Sequence, residues 1–260
     1  SAKLPVAAFR QFINRLLQAG FIDVICSTGA QVYHDLHFAF DLPVKSINPR
    51  WDDDLLRKHG DTRIYDVGIR EKETLEAQDE LIRQFVRECH AELAAAPRAS
   101  WEINARLGAW VAAHALHPER SFVAAAAKLG VPIFWDSLAN HSIAMNFART
   151  DREGFPVALS AQQDILDSAA IAFCSGGTGF VELGGGGPQA DGCHLEQVAR
   201  RRGKPAVAVP PASLQFFQGG RGVHLGQLPV GGDAFPRVRD VIGRDPRGQL
   251  ALGRVGGIRG

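Results

Sequence analysis

The sequence predicts an α/β chain with a doubly wound parallel sheet. Three observations carry this. Apolar runs such as Phe21–Cys26 and Val131–Trp135 alternate with amphipathic segments at helical spacing. Several of these runs end in a turn of small or polar residues, as in STGAQVYHD, WDSLANHS and SGGTG. The composition, 45% hydrophobic and 22% charged over 260 residues, is that of a globular chain large enough for one α/β domain.

The elements follow in order. AFRQFINRLLQAG, residues 8–20, sets Phe9, Phe12, Ile13, Leu16 and Leu17 at helical spacing, and Gly20 stops it. FIDVIC is a strand. The STGAQVYHDLHFAF stretch opens a helix and is followed by a polar loop, and TRIYDVG, 62–68, alternates like one strand. Residues 72–93 form a long amphipathic helix with Leu75, Gln78, Ile82, Phe85, Val86 and Cys89 near one face. Its acidic residues, Asp79 and Glu80 among them, read as a solvated face. A helix over 100–116 takes Ser100 as its N-cap, and a third covers 121–130, closed by Gly130. VPIFW is a strand. Asp136 or Ser137 is expected to cap the helix through IAMNFA. Residues 158–169 are a helix and AIAFCSGGTG, 170–179, a strand that enters FVELGGGG.

Several classes are set aside. No run of apolar residues is long enough to span a membrane, and Arg10 breaks any signal-like core in SAKLPVAAFRQF. Residue 1 is Ser, so an upstream segment is expected. Cys26, Cys89, Cys174 and Cys193 make no CxxC pair, which argues against a zinc ribbon or redox dithiol and for a reducing cytoplasm. The net charge of +1 gives no reason to expect nucleic acid. Residues 191–260 nonetheless hold 11 Lys+Arg against 5 Asp+Glu.

In doubly wound sheets, ligands gather at the carboxyl ends of strands. Ser27-Thr28-Gly29-Ala30 before a helix suits a phosphate or ribose, because small residues admit a close approach and a helix start favours negative charge. A tight β–α turn requires the same residues, so both readings stand. Tyr33, His34, Asp35 and His37 read as a proton-transfer cluster, as a metal site, or as helix-start caps and exposed imidazoles. Asp136, Asn140 and His141 read as a cap or as partners for a polar ligand, a carboxylate there suiting an amine. Gly184–Gly187 read as a linker or as a phosphate-cradling turn. The HExxH zinc motif is absent, and the missing GxGxxG argues against an ordinary dinucleotide dehydrogenase.

Four ordered motifs, FIDVICSTGAQVYHDLHFAF, RIYDVGIREKETLEAQDELI, VPIFWDSLANHSIAMNFA and IAFCSGGTGFVELGGG, resemble the deoxyhypusine synthase family, in particular its bacterial deoxyhypusine synthase-like branch. The resemblance covers residues 8–186. It implies a doubly wound α/β homotetramer that uses NAD to transfer an aminobutyl group from a polyamine, spermidine or putrescine, through a lysine imine to an acceptor amine. By position it implies that Thr28, Gly29, Ala30, Asn140, Gly184 and Gly185 contact NAD. Tyr33 and His34 stand where the better-known branch has paired Glu residues, and Met145 replaces an Asp that would hold the polyamine. Asp35, Asp136 and His141 are the remaining polar candidates for the amine. These departures make a diamine acceptor, as in homospermidine formation, an alternative to a protein lysine.

The resemblance ends near residue 186. Gln189 takes the position of the family's first Lys of the next segment, and no Lys follows Lys204 and no Trp follows Trp135. Residues 185–260 hold 17 of the 28 glycines. The expected division is therefore an NAD-binding domain over 1–186 and a divergent Gly/Arg-rich tail over 187–260, of the composition that an out-of-frame reading of a GC-rich gene produces. A chain without the family lysine is expected either to be inactive or to act as an NAD or polyamine binder.

Overall fold

The computed structural model describes residues 6–175, with side chains from residue 11, and the backbone of short strands at 178–180, 206–208, 242–244 and 250–252. The chain divides into two compact units, Lys3–Ala161 and Gln162–Gly260 with the first two residues.

In the first unit, α1 (Val6–Gln18) leads to β1 (Ile25–Ser27) and α2 (Gly29–Ala39). The strand is shorter than FIDVIC implies, because only Ile25–Ser27 find a partner. That partner is β5 (Ile133–Trp135), parallel, with Ser27 opposite Trp135. The parallel pairing expected of an α/β chain is present, and it places the carboxyl ends of the two strands side by side.

The polar loop after α2 contains structure of its own. β2 (Val44–Ser46), β3 (Asp61–Ile64) and β4 (Val67–Arg70) form an antiparallel sheet in the order β2-β4-β3, with α3 (Asp53–Lys58) between the first two. TRIYDVG is thus a hairpin and not one strand. Tyr65 takes the turn at a left-handed φ of 53°, a conformation for which its side chain gives no signal.

A π-helical turn over Glu71–Glu76 feeds α4 (Ala77–Leu93). α5 (Ser100–His114) begins one residue earlier than a Ser100 cap implies. Ala99 is its N-cap, and the Glu102 carboxylate accepts from the Ala99 N–H at 3.0 Å. Ser100 Oγ instead accepts from the Trp135 N–H of β5. α6 (Phe122–Leu129) packs against α5 at Gly108, where a methyl would stand 2.6 Å from Ala127 Cβ. Gly130 closes α6 with a left-handed φ of 70°. α7 (Ser142–Arg152) is capped by His141 rather than Asp136 or Ser137. Val32, Leu36, Ile82, Phe85, Leu107 and Ile133 lie in one buried apolar cluster that joins α2, α4, α5 and β5.

In the second unit, α8 (Ala161–Cys174) extends through the segment expected as a strand. Ala169, Ala170 and Ala172 favour helix, and Asp167 and Ile171 continue its buried face at a spacing of four. β6 (Thr178–Phe180) pairs in parallel with β7 (Ala206–Ala208), and β8 (Ile242–Arg244) pairs antiparallel with β9 (Leu250–Leu252). No helix among the described residues is long and apolar enough to cross a membrane.

Candidate functional site

The site starts from two adjacent strand ends. The Asp136 N–H bonds the Ser27 carbonyl at 3.0 Å, which carries the β1–β5 pairing one residue past the strands. From there the chain turns into α2 on one side and into α7 on the other. Thr28 caps α2 by accepting from the Gln31 N–H at 3.1 Å. A helix start leaves its first N–H groups, here Gly29 and Ala30, outside the helical ladder.

His141 links the two helix starts. Its Nδ1 accepts from the Ala144 N–H at 3.3 Å, so the neutral ring carries its proton on Nε2. The ring lies against Gly29, where an added methyl would stand 2.5 Å from His141 Nε2. Only glycine fits there. Trp135 meets the same imidazole edge-on, with ring centroids 4.5 Å apart. His141 is 3% exposed and its Nε2 has no partner.

That orphan is not alone. Gln31 Nε2, Trp135 Nε1 and Asp136 Oδ1 are also buried without a hydrogen-bond partner. Such atoms are uncommon in folded proteins and require an explanation. Four of the seven among the described residues belong to the two strand-end segments. Three of the four are donors. Together with the α2 N-terminus they make a donor-rich corner, suited to phosphate, ribose or carboxamide oxygens. Burial lowers the proton affinity of His141, offset in part by the Ser137 backbone. Burial also raises the Asp136 pKa.

The other sequence candidates separate. Ala30 and Asn140 are exposed at this edge. Tyr33 is buried; its hydroxyl donates to Asp79 at 2.8 Å, and burial with that carboxylate beside it raises its pKa. His34 is half-buried, 3.0 Å from His37 through Nδ1. Asp35 is fully buried, and its oxygens accept from Ser121 Oγ at 2.5 Å, Phe122 N–H at 3.2 Å and Val123 N–H at 3.3 Å. That carboxylate serves the start of α6. Met145 is exposed on α7. Gly184 and Gly185 lie outside the described residues, as do Gly176 and Gly177 of the third expected turn, whose Thr178 and Gly179 begin β6.

The structure adds residues that the sequence did not mark. Trp135 read as a strand residue. Gln78 read as part of an apolar face, yet it is buried and bonds His37 Nδ1 at 2.5 Å and the Tyr33 carbonyl. A polar residue at an apolar helical position was the available signal. Asp79, expected on a solvated face, turns in to bond Tyr33 and Asn146, and Asn146 also accepts from Arg83 at 2.8 Å. No grouping of three or more His, Cys, Asp or Glu suited to a metal occurs among the described residues.

Comparison with known proteins places these residues in a family. The sequence profile described as deoxyhypusine synthase matches residues 1–219, past residue 186 where the four motifs end. A deoxyhypusine synthase-like protein of Thermosynechococcus vestitus is 34% identical over 184 residues, 67% of this chain and 45% of that protein. A probable deoxyhypusine synthase 2 of Methanosarcina mazei is 32% identical over 189 residues, 73% of this chain and 53% of the other. One from Archaeoglobus fulgidus is 30% identical over 203 residues, 78% of this chain and 64% of the other. The chain spans about half the length of the curated relatives it matches. With the profile matching most of its length, the chain belongs to the deoxyhypusine synthase family.

Proposed function

We propose that this chain is the NAD-binding part of an enzyme that transfers an aminobutyl group from a polyamine to an acceptor amine. The observation that supports it is the donor-rich corner at the ends of β1 and β5. NAD, when bound, supplies a hydride acceptor and donor. Its ribose and phosphate oxygens match the unpartnered donors of Gln31, Trp135 and His141 and the N–H groups of Gly29 and Ala30 in the first turn of α2. Asp136 matches a ribose diol or an ammonium. Thr28 and Asn140 flank the same edge, and we assign Gly184 and Gly185 to the cofactor on the resemblance alone. Tyr33 and His34 are assigned to the amine side. Asp35 is not, because its carboxylate is committed to α6.

The doubly wound sheet and a homo-oligomeric, tetrameric assembly belong to the same proposal. So does the polyamine class, spermidine or putrescine. A second reading, a binder that does not transfer, is favoured by the absence of any lysine after Lys204. One experiment separates the two. Calorimetric titration with NAD and putrescine measures binding, and NADH absorbance with chromatography of released diamine measures turnover. Binding with turnover supports the enzyme. Binding without turnover supports the binder. Absence of NAD binding removes both.

A further inference from the structure

Two helix starts meet at one imidazole. His141 is the N-cap of α7, and its ring lies against Gly29, the first residue of α2. A methyl added to Gly29 would stand 2.2 Å from His141 Cδ2, 2.3 Å from Cγ and 2.5 Å from Nε2. The two N-termini are therefore held within the width of a ring. Each helix runs for 11 residues. Aligned peptide dipoles place about half a positive charge at each start. Two such ends held together favour negative charge between them.

The first turns supply none. Neither helix has an acidic residue there. Both caps are neutral: Thr28 Oγ1 accepts from the Gln31 N–H, and His141 Nδ1 accepts from the Ala144 N–H. The N–H groups of Gly29, Ala30, Ser142 and Ile143 come before the helical ladder. A helix start alone selects no ligand. Here a side chain adds to it. His141 is 3% exposed, and its Nε2, beside Gly29, has no partner. With Nδ1 spent on the cap, that nitrogen is a donor set among backbone donors.

Resting on the function proposed above, we propose that the junction of α2 and α7 binds a phosphate group, with His141 Nε2–H as its side-chain donor. Within NAD, the pyrophosphate and neither nucleoside occupies the junction. Phosphate oxygens carry charge and only accept. A ribose hydroxyl or a carboxamide is neutral and brings a donor of its own, which meets N–H groups here. His141 serves as a neutral donor, because burial lowers its proton affinity. The acidic side chain nearest in sequence, Asp136, follows Trp135 on the line of β5, and its N–H still pairs with Ser27. Successive side chains along a strand leave on opposite faces. Trp135 is the one that meets His141, so the Asp136 carboxylate leaves on the face away from the imidazole.

The test uses the full chain with inorganic pyrophosphate in magnesium-free buffer, and with two phosphate-free pieces of the cofactor, adenosine and nicotinamide riboside. Nitrogen-15 spectra of the imidazoles, assigned with His141→Asn, report on the ring. In the free chain His141 is expected to carry its proton on Nε2; a proton on Nδ1 overturns the proposal. Pyrophosphate is expected to shift the Nε2 resonance and to compete with NAD in calorimetry, while both nucleosides leave the resonance unmoved. A shift from a nucleoside and none from pyrophosphate overturns the proposal. NAD binding that leaves His141 unmoved overturns it and leaves the proposed function standing. Pyrophosphate that shifts His141 in a chain that binds no NAD keeps the phosphate site and removes the proposed function. No response to either removes both. Two variants separate the donor from the cap. His141→Asn and His141→Asp each keep an acceptor able to cap α7. The first is expected to weaken pyrophosphate binding about tenfold. The second is expected to abolish it, because it puts a negative charge at the junction. Affinity retained equally in both variants overturns the proposal.

Discussion

The start of α6 and the start of α2 pose the same electrostatic problem and meet it in opposite ways. Both expose N–H groups that favour negative charge. At α6 the chain supplies the anion itself: Asp35 bonds Ser121 Oγ and the N–H groups of Phe122 and Val123, while Ser121 Oγ accepts from Ala124 N–H. At α2 only Thr28 answers, and the neighbouring Gln31, Trp135 and His141 add donors without acceptors. A fold closes its polar groups where structure alone is at stake. Where it gathers donors and leaves them open, an external acceptor is the physical counterpart.

Breaking the closed side gives the largest effect. Asp35→Ala leaves the α6 start and Ser121 without their buried acceptor, and it is expected to destabilise the chain by about 3 kcal/mol. Chemical denaturation reads this directly. A loss below about 1 kcal/mol contradicts the role given to Asp35.

The open side depends on one small residue. Gly29→Ala drives a methyl into the His141 ring and is expected to cost about 2 kcal/mol and to abolish NAD binding. Adding His141→Ala removes the obstacle, so the double variant is expected to lose less than the sum of the two single losses. Additive losses in the double variant contradict the contact.

Acid separates the polar interior from both helix starts. His37 is held neutral in the folded chain, with its pKa depressed from 6.5 to about 3. The unfolded chain then binds the extra proton first. The His37 contribution is intact above pH 6.5 and is lost as pH falls toward 3. The slope is about 1.4 kcal/mol per pH unit, which amounts to about 1–2 kcal/mol by pH 5.5 once the rise of the curve near 6.5 is included. His34 and His141, also lowered by burial, act in the same direction. Melting curves in His37→Gln should be flatter over this range than in the parent chain.

How much of this was legible in the sequence follows from the range of the interactions. The small-residue turn at Ser27–Ala30 announced the start of α2, because caps and turns are written within a few residues. The parallel pairing of β1 and β5 followed from the alternation of apolar runs with helices. Asp35 was legible as polar but not as the cap of a helix whose first residue lies 87 positions on. Gln78 and Asp79 found their partners across α2 and α7, and no local pattern encodes such pairs. The hairpin at Tyr65 and the helical end of α8 were missed for different reasons. One uses a left-handed residue other than glycine, and the other fits a strand and a helix equally well over a short apolar run.

The smallest stability effect is the most discriminating. Trp135 is 4% exposed, and its Nε1–H has no acceptor. If the indole served only the core, Trp135→Phe would remove packing area and destabilise the chain. As a donor kept open for a ligand, its N–H carries a desolvation penalty that the variant removes, and this offsets part of the lost area. The expected change in stability is therefore within about 1 kcal/mol of zero. Binding behaves differently. The lost hydrogen bond to an NAD oxygen is expected to weaken affinity by about tenfold, the equivalent of 1.4 kcal/mol. A variant that loses stability while binding NAD as tightly as the parent would move Trp135 from the open side of the comparison to the closed one.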